Sequence, residues 1–293
     1  RKATQCLIER VTNDTEVIVV AYHAARQLDN CLACLRKAFS TIVVDNSADP
    51  CVAQVAKRHG ATYISAGSNR GFAAGVDLGL AHVRPGADVL LLNPDACLAP
   101  EAIDALRTAL YSPKPYAVSA VAPSLVNELG ESQRVWWPFP TPSRAILEAI
   151  GLGRLPSSRG FAVGAVLLLR RHALEEVGEF DERFFLYAEE ADWQRRAFAA
   201  GWRTLVTEDI VATHVGAGTS PDEREREARF HAGQETYVRK WYGEVGWFTY
   251  RTAVLAGSAL RALLLSEPRR TRARHRAALY LKGPRRAAGF ARD

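Results

Sequence analysis

Three carboxylates, Glu189, Glu190 and Asp192, stand at the start of an expected helix, directly after the aromatic run Phe184-Phe185-Leu186-Tyr187. Ala188 to Ala200 contains no Gly or Pro, and Gly201 follows as a left-handed stop, so the acids occupy the positive end of a helix dipole. Many helices place acids there without any chemistry. Here the chain reaches them past Phe180, Phe184, Phe185, Leu186 and Tyr187, and a carboxylate beside an apolar wall gains the proton affinity a general base needs. Glu189 and Glu190 point about 100° apart on a helix, whereas Glu189 and Asp192 share a face. The acids are therefore expected to divide two roles.

The elements that must position them alternate in type. Residues 16–21 (EVIVVA), 41–45 (TIVVD), 61–65 and 89–92 read as strands, and residues 25–38, 51–59 and 71–82 as helices between them. This alternation predicts an α/β fold with a parallel sheet covered on both faces and ligands at the carboxyl ends of its strands. Those ends carry Tyr22-His23, Asp45-Asn46-Ser47, Ser68-Asn69-Arg70-Gly71 and Asn93-Pro94-Asp95. Each alone is ordinary turn chemistry, but four polar loops on one sheet edge make a crevice. No G-x-G-x-x-G follows the first strand and no G-x-x-x-x-G-K-[ST] occurs, which disfavours a dinucleotide site or an ATPase loop.

Farther on, residues 118–126 and 160–170 read as strands, and 204–213 as a strand delivering His214 to the same neighbourhood. The stretch 130–160 is rich in Pro, Ser and Trp and reads as a long irregular loop. Within it, Trp136 and Trp137 suit either stacking on a sugar ring or packing of the loop on the domain or a membrane. Residues 222–241 read as a charged helix.

The chain has 293 residues, enough for one large domain or two small ones, and 48% are hydrophobic, which excludes a disordered chain. Its net charge of +6 is concentrated at the end, where Arg269, Arg270, Arg272, Arg274, Arg276, Lys282, Arg285, Arg286 and Arg292 surround Leu279, Tyr280, Leu281 and Phe290. Such a tail is either simply solvated or meets an anionic membrane surface; nucleic acid is the weaker candidate partner. The apolar stretch 252–265 is too short to span a bilayer and contains Arg261, so it is expected at most to lie along a surface. Five scattered cysteines, Cys6, Cys31, Cys34, Cys51 and Cys97, offer one lone C-x-x-C, too little for a zinc site. Cys31 and Cys34 are expected to be small buried residues in a reducing compartment. Residues 1–15 are mixed and polar, unlike a signal peptide, and the absence of Met implies numbering that begins inside a processed or engineered product.

The segments VVDNS (43–47), SNRGFAAGVDLGL (68–80), LLLNPDA (90–96) and GAVLLLRRHALEEVGEFDERFFLYAEEADWQRRAFAAGW (164–202), followed by His214, resemble the inverting glycosyltransferases of family 2, most closely their bacterial rhamnosyltransferase-like branch. The resemblance covers roughly residues 16–220 in order. It implies the Rossmann-like GT-A glycosyltransferase fold over 1–243, with a nucleotide-binding half at about 16–126 and an acceptor half at about 127–243. Residues 244–293 would then form an amphipathic basic helical extension.

The resemblance also implies roles. Asp45 would hydrogen-bond the base of a sugar nucleotide, a dTDP- or UDP-sugar, while Tyr22 and the Asn69-Arg70-Gly71 loop line the nucleotide. Asp95 would coordinate Mg2+ or Mn2+ on the diphosphate, with His214 as second ligand. Glu190 aligns with the catalytic base, and Glu189 and Asp192 would orient the acceptor or brace the site. Three positions depart from the family pattern: Asn93 opens the usual Asp-x-Asp, Glu190 replaces Asp, and Asp77 stands for a common Asn. The expected activity is inverting transfer of L-rhamnose from dTDP-L-rhamnose to a glycan or polyprenyl-linked acceptor in cell-wall polysaccharide synthesis. It is expected at the inner face of the cytoplasmic membrane. The alternative, favoured by Asn93, is a catalytically weak sugar-nucleotide-binding or membrane-attached scaffold protein.

Overall fold

The computed structural model describes residues 15–216 and 222–290; Cys6, Arg292 and the polar start lie outside them. The sequence alternation is realised as β1 Thr15–Ala21, α1 Ala25–Cys34, β2 Thr41–Asp45, α2 Pro50–His59, β3 Thr62–Ser65, α3 Phe72–Leu80 and β4 Asp88–Leu92. Every residue of β1, β2 and β4 is buried, as helices on both faces demand. Helix α2 shows how local chemistry sets these bounds. The Asp49 side chain caps it by accepting from Cys51 N, Pro50 opens it, and Gly60 ends it at φ 73°.

Beyond β4 come β5 Ala96–Cys97, α4 Pro100–Tyr111, β6 Val118–Val126, β7 Ser132–Gln133 and β8 Trp136–Pro138. Then follow α5 Pro142–Ala149, β9 Gly160–Ala162, β10 Val166–Leu169, α6 Arg171–Val177, α7 Glu189–Ala199 and β11 Arg203–His214. The stretch 130–160, expected to be irregular, thus holds two short strands and a helix, which the Thr141 side chain caps by accepting from Arg144 N. Pro142, at the first turn, opens that helix.

The nine-stranded sheet runs β3-β2-β1-β4-β10-β6-β11-β5, with β7 on β6, while β8 and β9 form a separate pair. Strands β3, β2, β1 and β4 are mutually parallel. β10 lies antiparallel to both β4 and β6, and the two-residue β5 and β7 are antiparallel to β11 and β6, so the expected parallel sheet is interrupted at β10 and carries two short reversed strands besides. Helix α3 approaches β1 closely enough that a Cβ on Gly75 would fall 2.7 Å from Val20 Cγ1, and one on Gly79 2.8 Å from Ile18 Cγ2. The glycines of GVDLGL, one helical turn apart, are therefore a packing requirement.

The described residues fall in two compact units. One is drawn from Arg1–Trp137, Gly160–Phe185 and Glu189–Pro221 and contains the sheet. The other is drawn from Pro138–Arg159, Leu186–Ala188 and Asp222–Asp293. It is helical: α5, α8 Glu223–Leu264, α9 Arg269–Lys282 and α10 Pro284–Ala287. The charged helix expected over 222–241 continues to Leu264, and the expected domain limit at 243/244 falls on its kink at Gly243. The basic tail is folded: α9 returns along α8, with Arg276 and His275 meeting Glu227 at 3.3 and 2.9 Å and Tyr280 OH 3.0 Å from His231 Nδ1.

One cysteine expectation is overturned. Cys34 is bonded to Cys97, Cα atoms 5.7 Å apart, joining the end of α1 to β5. The spacing C-x-x-C directed attention to the pair, but each sulfur has a distant partner: Cys31 Sγ lies 3.6 Å from Asn93 O, while Cys34 is joined to Cys97. Cys31 is free and buried, where desolvation pushes its thiol up, and Cys51 is free and exposed.

Candidate active site

The carboxyl end of β2 is bonded to that of β1 through the backbone, Asn46 N to Ala21 O (2.8 Å), and to β3 through a side chain. Asp45, fully buried at the end of β2, accepts from Ser47 N (2.8 Å) and Ser47 Oγ through Oδ1, and from Asp49 N and Tyr63 OH (both 2.9 Å) through Oδ2. Its carboxylate therefore builds the loop and orients Tyr63. Tyr22, after β1, and Tyr63, in β3, both keep exposed rings. Tyr63 escaped the sequence reading because only the parallel register, Val43 beside Tyr63, brings it to Asp45.

The Ser68-Asn69-Arg70-Gly71 loop is tied on two sides. Asn46 Nδ2 donates to Gly71 O (2.8 Å), Asn69 Oδ1 accepts from Gly71 N (3.1 Å), and Phe72 N donates to Phe185 O (2.7 Å). Gly71 sits at φ 88° with the backbone of Phe185 where a Cβ would be, so no other residue fits. Arg70 meets Glu182 at 3.4 Å across exposed surface, a pairing weak enough to leave the guanidinium available to an anion.

At the end of β4, Asp95 and His214 come together although 119 positions apart in sequence numbering (214 − 95). The two-residue strand β5 pairs Ala96 with His214 and Cys97 with Thr213, which sets His214 Nε2 3.5 Å from Asp95 Oδ1. Gln133 clamps the histidine: its Nε2 donates to His214 O (2.7 Å) and its Oε1 lies 2.9 Å from His214 Nδ1. With Nδ1 carrying the proton toward Gln133, Nε2 presents its lone pair on the Asp95 side. A carboxylate oxygen and an imidazole nitrogen converging on one point suit Mg2+ or Mn2+. Among the described residues no group of three His, Cys, Asp or Glu could hold a metal, so remaining ligands would have to come from a phosphate-bearing substrate or water. Gln133 carried no sequence signal.

The acids at the head of α7 occupy different environments. Glu189 is buried, and burial together with the adjacent Glu190 pushes it well above the usual carboxylate range; its Oε2 makes no hydrogen bond. Glu190 is half-buried and faces Gly164, where a Cβ would stand 3.5 Å from Glu190 Cβ. The next residue, Ala165, accepts from Asn93 N (2.9 Å), linking the backbone beside Glu190 to the Asn93-Pro94-Asp95 loop. Gln194 secures this stretch by pairing with both backbone groups of Ala162, 2.8 and 2.7 Å. Asp192 is fully buried and bonded to Arg196 Nε (3.0 Å), whose other nitrogens donate to Val177 O and Glu179 O. Just before the helix, Tyr187 and Ala188 take φ of 70° and 73°, a costly left-handed pair for non-glycine residues and a mark of local constraint at a functional position.

Trp136 and Trp137 lie in β8. Gly160 packs against the Trp136 ring, and Trp137 is 40% exposed with the Arg134 guanidinium 4.0 Å over its ring.

Comparison with known proteins identifies the family and the fold. Residues 13–231 match the family described as glycosyltransferase like family 2. The chain is 28% identical over 310 residues to the N-acetylglucosaminyl-diphospho-decaprenol L-rhamnosyltransferase of Mycobacterium tuberculosis, covering 93% of this chain and 99% of that one. Among solved structures, glucosyl-3-phosphoglycerate synthase of M. tuberculosis in complex with Mn2+, UDP and glucosyl-3-phosphoglycerate superposes with a TM-score of 0.54 at 16% identity, over 81% of this chain and 83% of that one. Residues 1–349 of S. aureus TarS do so with a TM-score of 0.52 at 15% identity, over 94% and 90%. The chain belongs to glycosyltransferase family 2, is similar to a rhamnosyltransferase over most of its length, and is a glycosyltransferase enzyme of the GT-A fold.

Proposed function

We propose that the protein is an inverting L-rhamnosyltransferase that takes its sugar from dTDP-L-rhamnose and delivers it to a hydroxyl of a polyprenyl-diphosphate-linked glycan at the inner face of a membrane. The observation that carries the reading is the convergence of Asp95 and His214 on one point, next to the loop whose backbone runs to Gly164 beside Glu190. The rhamnosyl donor and lipid-linked acceptor are supported by the activity for which the mycobacterial relative is named.

In this reading Tyr22 and Tyr63 flank the base and Asp45 fixes the turn and tyrosine that receive it. Arg70 and the Asn69–Gly71 backbone meet the diphosphate. Asp95 and His214 would hold Mg2+ or Mn2+, which would supply positive charge beside the departing nucleoside diphosphate. Burial and the adjacent Glu190 push the Glu189 carboxyl well above its usual range, which leaves Glu190 as the candidate base. Glu190 takes the acceptor hydroxyl proton as that oxygen bonds to the anomeric carbon. The bond from that carbon to the phosphate oxygen breaks on the opposite side, and its electron pair leaves with the nucleoside diphosphate. A single displacement inverts the anomeric carbon. Asp192 acts at a distance, holding α7 in place through Arg196, and Trp137 offers its ring to the acceptor sugar.

A panel of dTDP- and UDP-sugars, read by release of nucleoside diphosphate with and without Mg2+ or Mn2+, tests the proposal. Preferential turnover of dTDP-L-rhamnose is expected. Preference for another sugar nucleotide would remove rhamnose from the claim, and binding without turnover of any donor or acceptor would return the protein to a scaffold role.

A further inference from the structure

The second half of α8 turns its apolar side outward. From Val245 onward the exposed positions recur at Val245, Phe248, Thr252, Ala256, Leu260 and Leu263, in steps of three and four, so they form one stripe about 27 Å long. Exposure is 81% at Val245, 71% at Phe248 and 78% at Leu263, with Leu264 beside it at 73%. The stripe contains no charged side chain. The charged members of this half-helix beyond Val245 point elsewhere: Arg251 donates to Tyr280 O and Leu281 O, and Arg261 donates to Glu148 O. An apolar surface of this extent is not left to water without a use.

What covers it is indicated by charge. Between Val245 and Phe290 there is one carboxylate, Glu267, against ten Lys and Arg. Five of the arginines belong to α9, and Arg269, Arg272 and Arg274 are exposed on it. No helix among the described residues is long and apolar enough to cross a membrane. An apolar stripe with a basic neighbourhood and no capacity to span has the character of a helix that lies in the plane of an anionic bilayer, apolar side in the acyl boundary and arginines among the headgroups.

We infer that the Val245–Leu264 face of α8 is a membrane-docking surface whose partner is an anionic phospholipid bilayer, with Phe248 and Leu263 as inserted anchors and the α9 arginines as its electrostatic rim. The inference rests on the membrane placement proposed above and replaces its vague element, a basic tail, with a folded surface of stated residues.

The test is co-sedimentation of the full chain with vesicles of phosphatidylcholine alone and of phosphatidylcholine with phosphatidylglycerol. Binding is expected to be at least about tenfold stronger to the anionic vesicles, and Phe248→Asp with Leu263→Asp should weaken it by about tenfold or more. Both side chains are solvent-exposed, so the variant should keep its thermal unfolding midpoint, and Phe248→Ala with Leu263→Ala serves as a milder second variant. Arg272→Glu with Arg274→Glu should remove most of the preference for anionic lipid. Undiminished vesicle binding by the Asp variant overturns the inference. So does a wild-type chain that is dimeric in solution and becomes monomeric on the same substitutions, since a second copy would then be the occupant. Donor hydrolysis in vesicle-free buffer reads the catalytic proposal separately: it should be unchanged in these variants, and its absence from the wild type would count against that proposal while leaving the docking result standing.

Discussion

His214 Nε2 lies 3.5 Å from Asp95 Oδ1, and the other ring nitrogen lies 2.9 Å from Gln133 Oε1. Three strands supply the three residues: β11 ends on His214, β7 contains Gln133, and Asp95 immediately precedes β5. The carboxamide decides which nitrogen of the imidazole is free, so in the proposed metal site it would tune a ligand without touching the ion.

Substituting Gln133→Ala should therefore weaken Mg2+- or Mn2+-dependent donor binding by about 10- to 100-fold, with His214→Ala and Asp95→Ala losing more. Calorimetry of the nucleoside diphosphate with and without metal checks this. If Gln133→Ala leaves the metal dependence untouched, the carboxamide has no such role.

Glu190→Gln keeps the size of the side chain and removes its ability to take a proton. Sugar transfer should fall by at least about 100-fold while donor binding stays within about twofold of the parent. Single-turnover transfer at wild-type rate would reassign the base. Glu189→Gln, which mimics the protonated state already imposed by burial, should be far milder.

Asp77 predicts a pH dependence of stability. Burial, with repulsion from Glu179 and Glu182, pushes its carboxyl up to about 7, against the hydrogen bond that Oδ1 accepts from Phe180 N at 2.9 Å. In the unfolded chain it titrates at about 4, so folding favours the protonated form. The stability this group permits is complete below about pH 4, declines as pH rises to about 7 and stays reduced above. Asp77→Asn retains the acceptor and removes the charge. Above pH 7 the variant should be more stable by about 1 to 2 kcal/mol, a figure discounted for the side chain's partial exposure, and the two proteins should converge near pH 4. Thermal melts across that range would refute this if the curves ran parallel.

The buried pair Asp192–Arg196 should behave as a structural ion pair. Arg196→Met strands a carboxylate in the core and should cost about 3 to 5 kcal/mol in chemical denaturation. Adding Asp192→Leu should recover part of it, the remainder reflecting lost bonds to Val177 O and Glu179 O. A loss below about 1 kcal/mol would show that the pair bears little on stability.

Alkylation of the folded, unreduced protein should modify Cys51 and spare Cys34 and Cys97. Labelling of all three without reductant would argue against the bond. Where Cys34 and Cys97 are joined, Cys34→Ser should lower stability by about 2 to 5 kcal/mol under non-reducing conditions, because the bond closes a loop spanning 63 positions.

Local pattern determined a great deal. The β-branched runs at 16–21, 41–45 and 89–92 specify buried strands, since a fully covered strand has no polar side to display. The order of polar loops after them locates the crevice, because parallel strands present their carboxyl ends together. The acids at 189, 190 and 192 were legible as a helix start with two separate faces. What no single segment carries is long-range register. β5 has two residues, too few for any periodic signal, yet its pairing with β11 is what brings His214 to Asp95. The Tyr63–Asp45 bond, the Gln133 clamp and the Cys34–Cys97 link likewise depend on which strands and helices become neighbours. The difference between Glu189 and Glu190 is also a tertiary outcome: of two adjacent identical side chains the fold buries one and half-buries the other, and burial pushes the Glu189 carboxyl up.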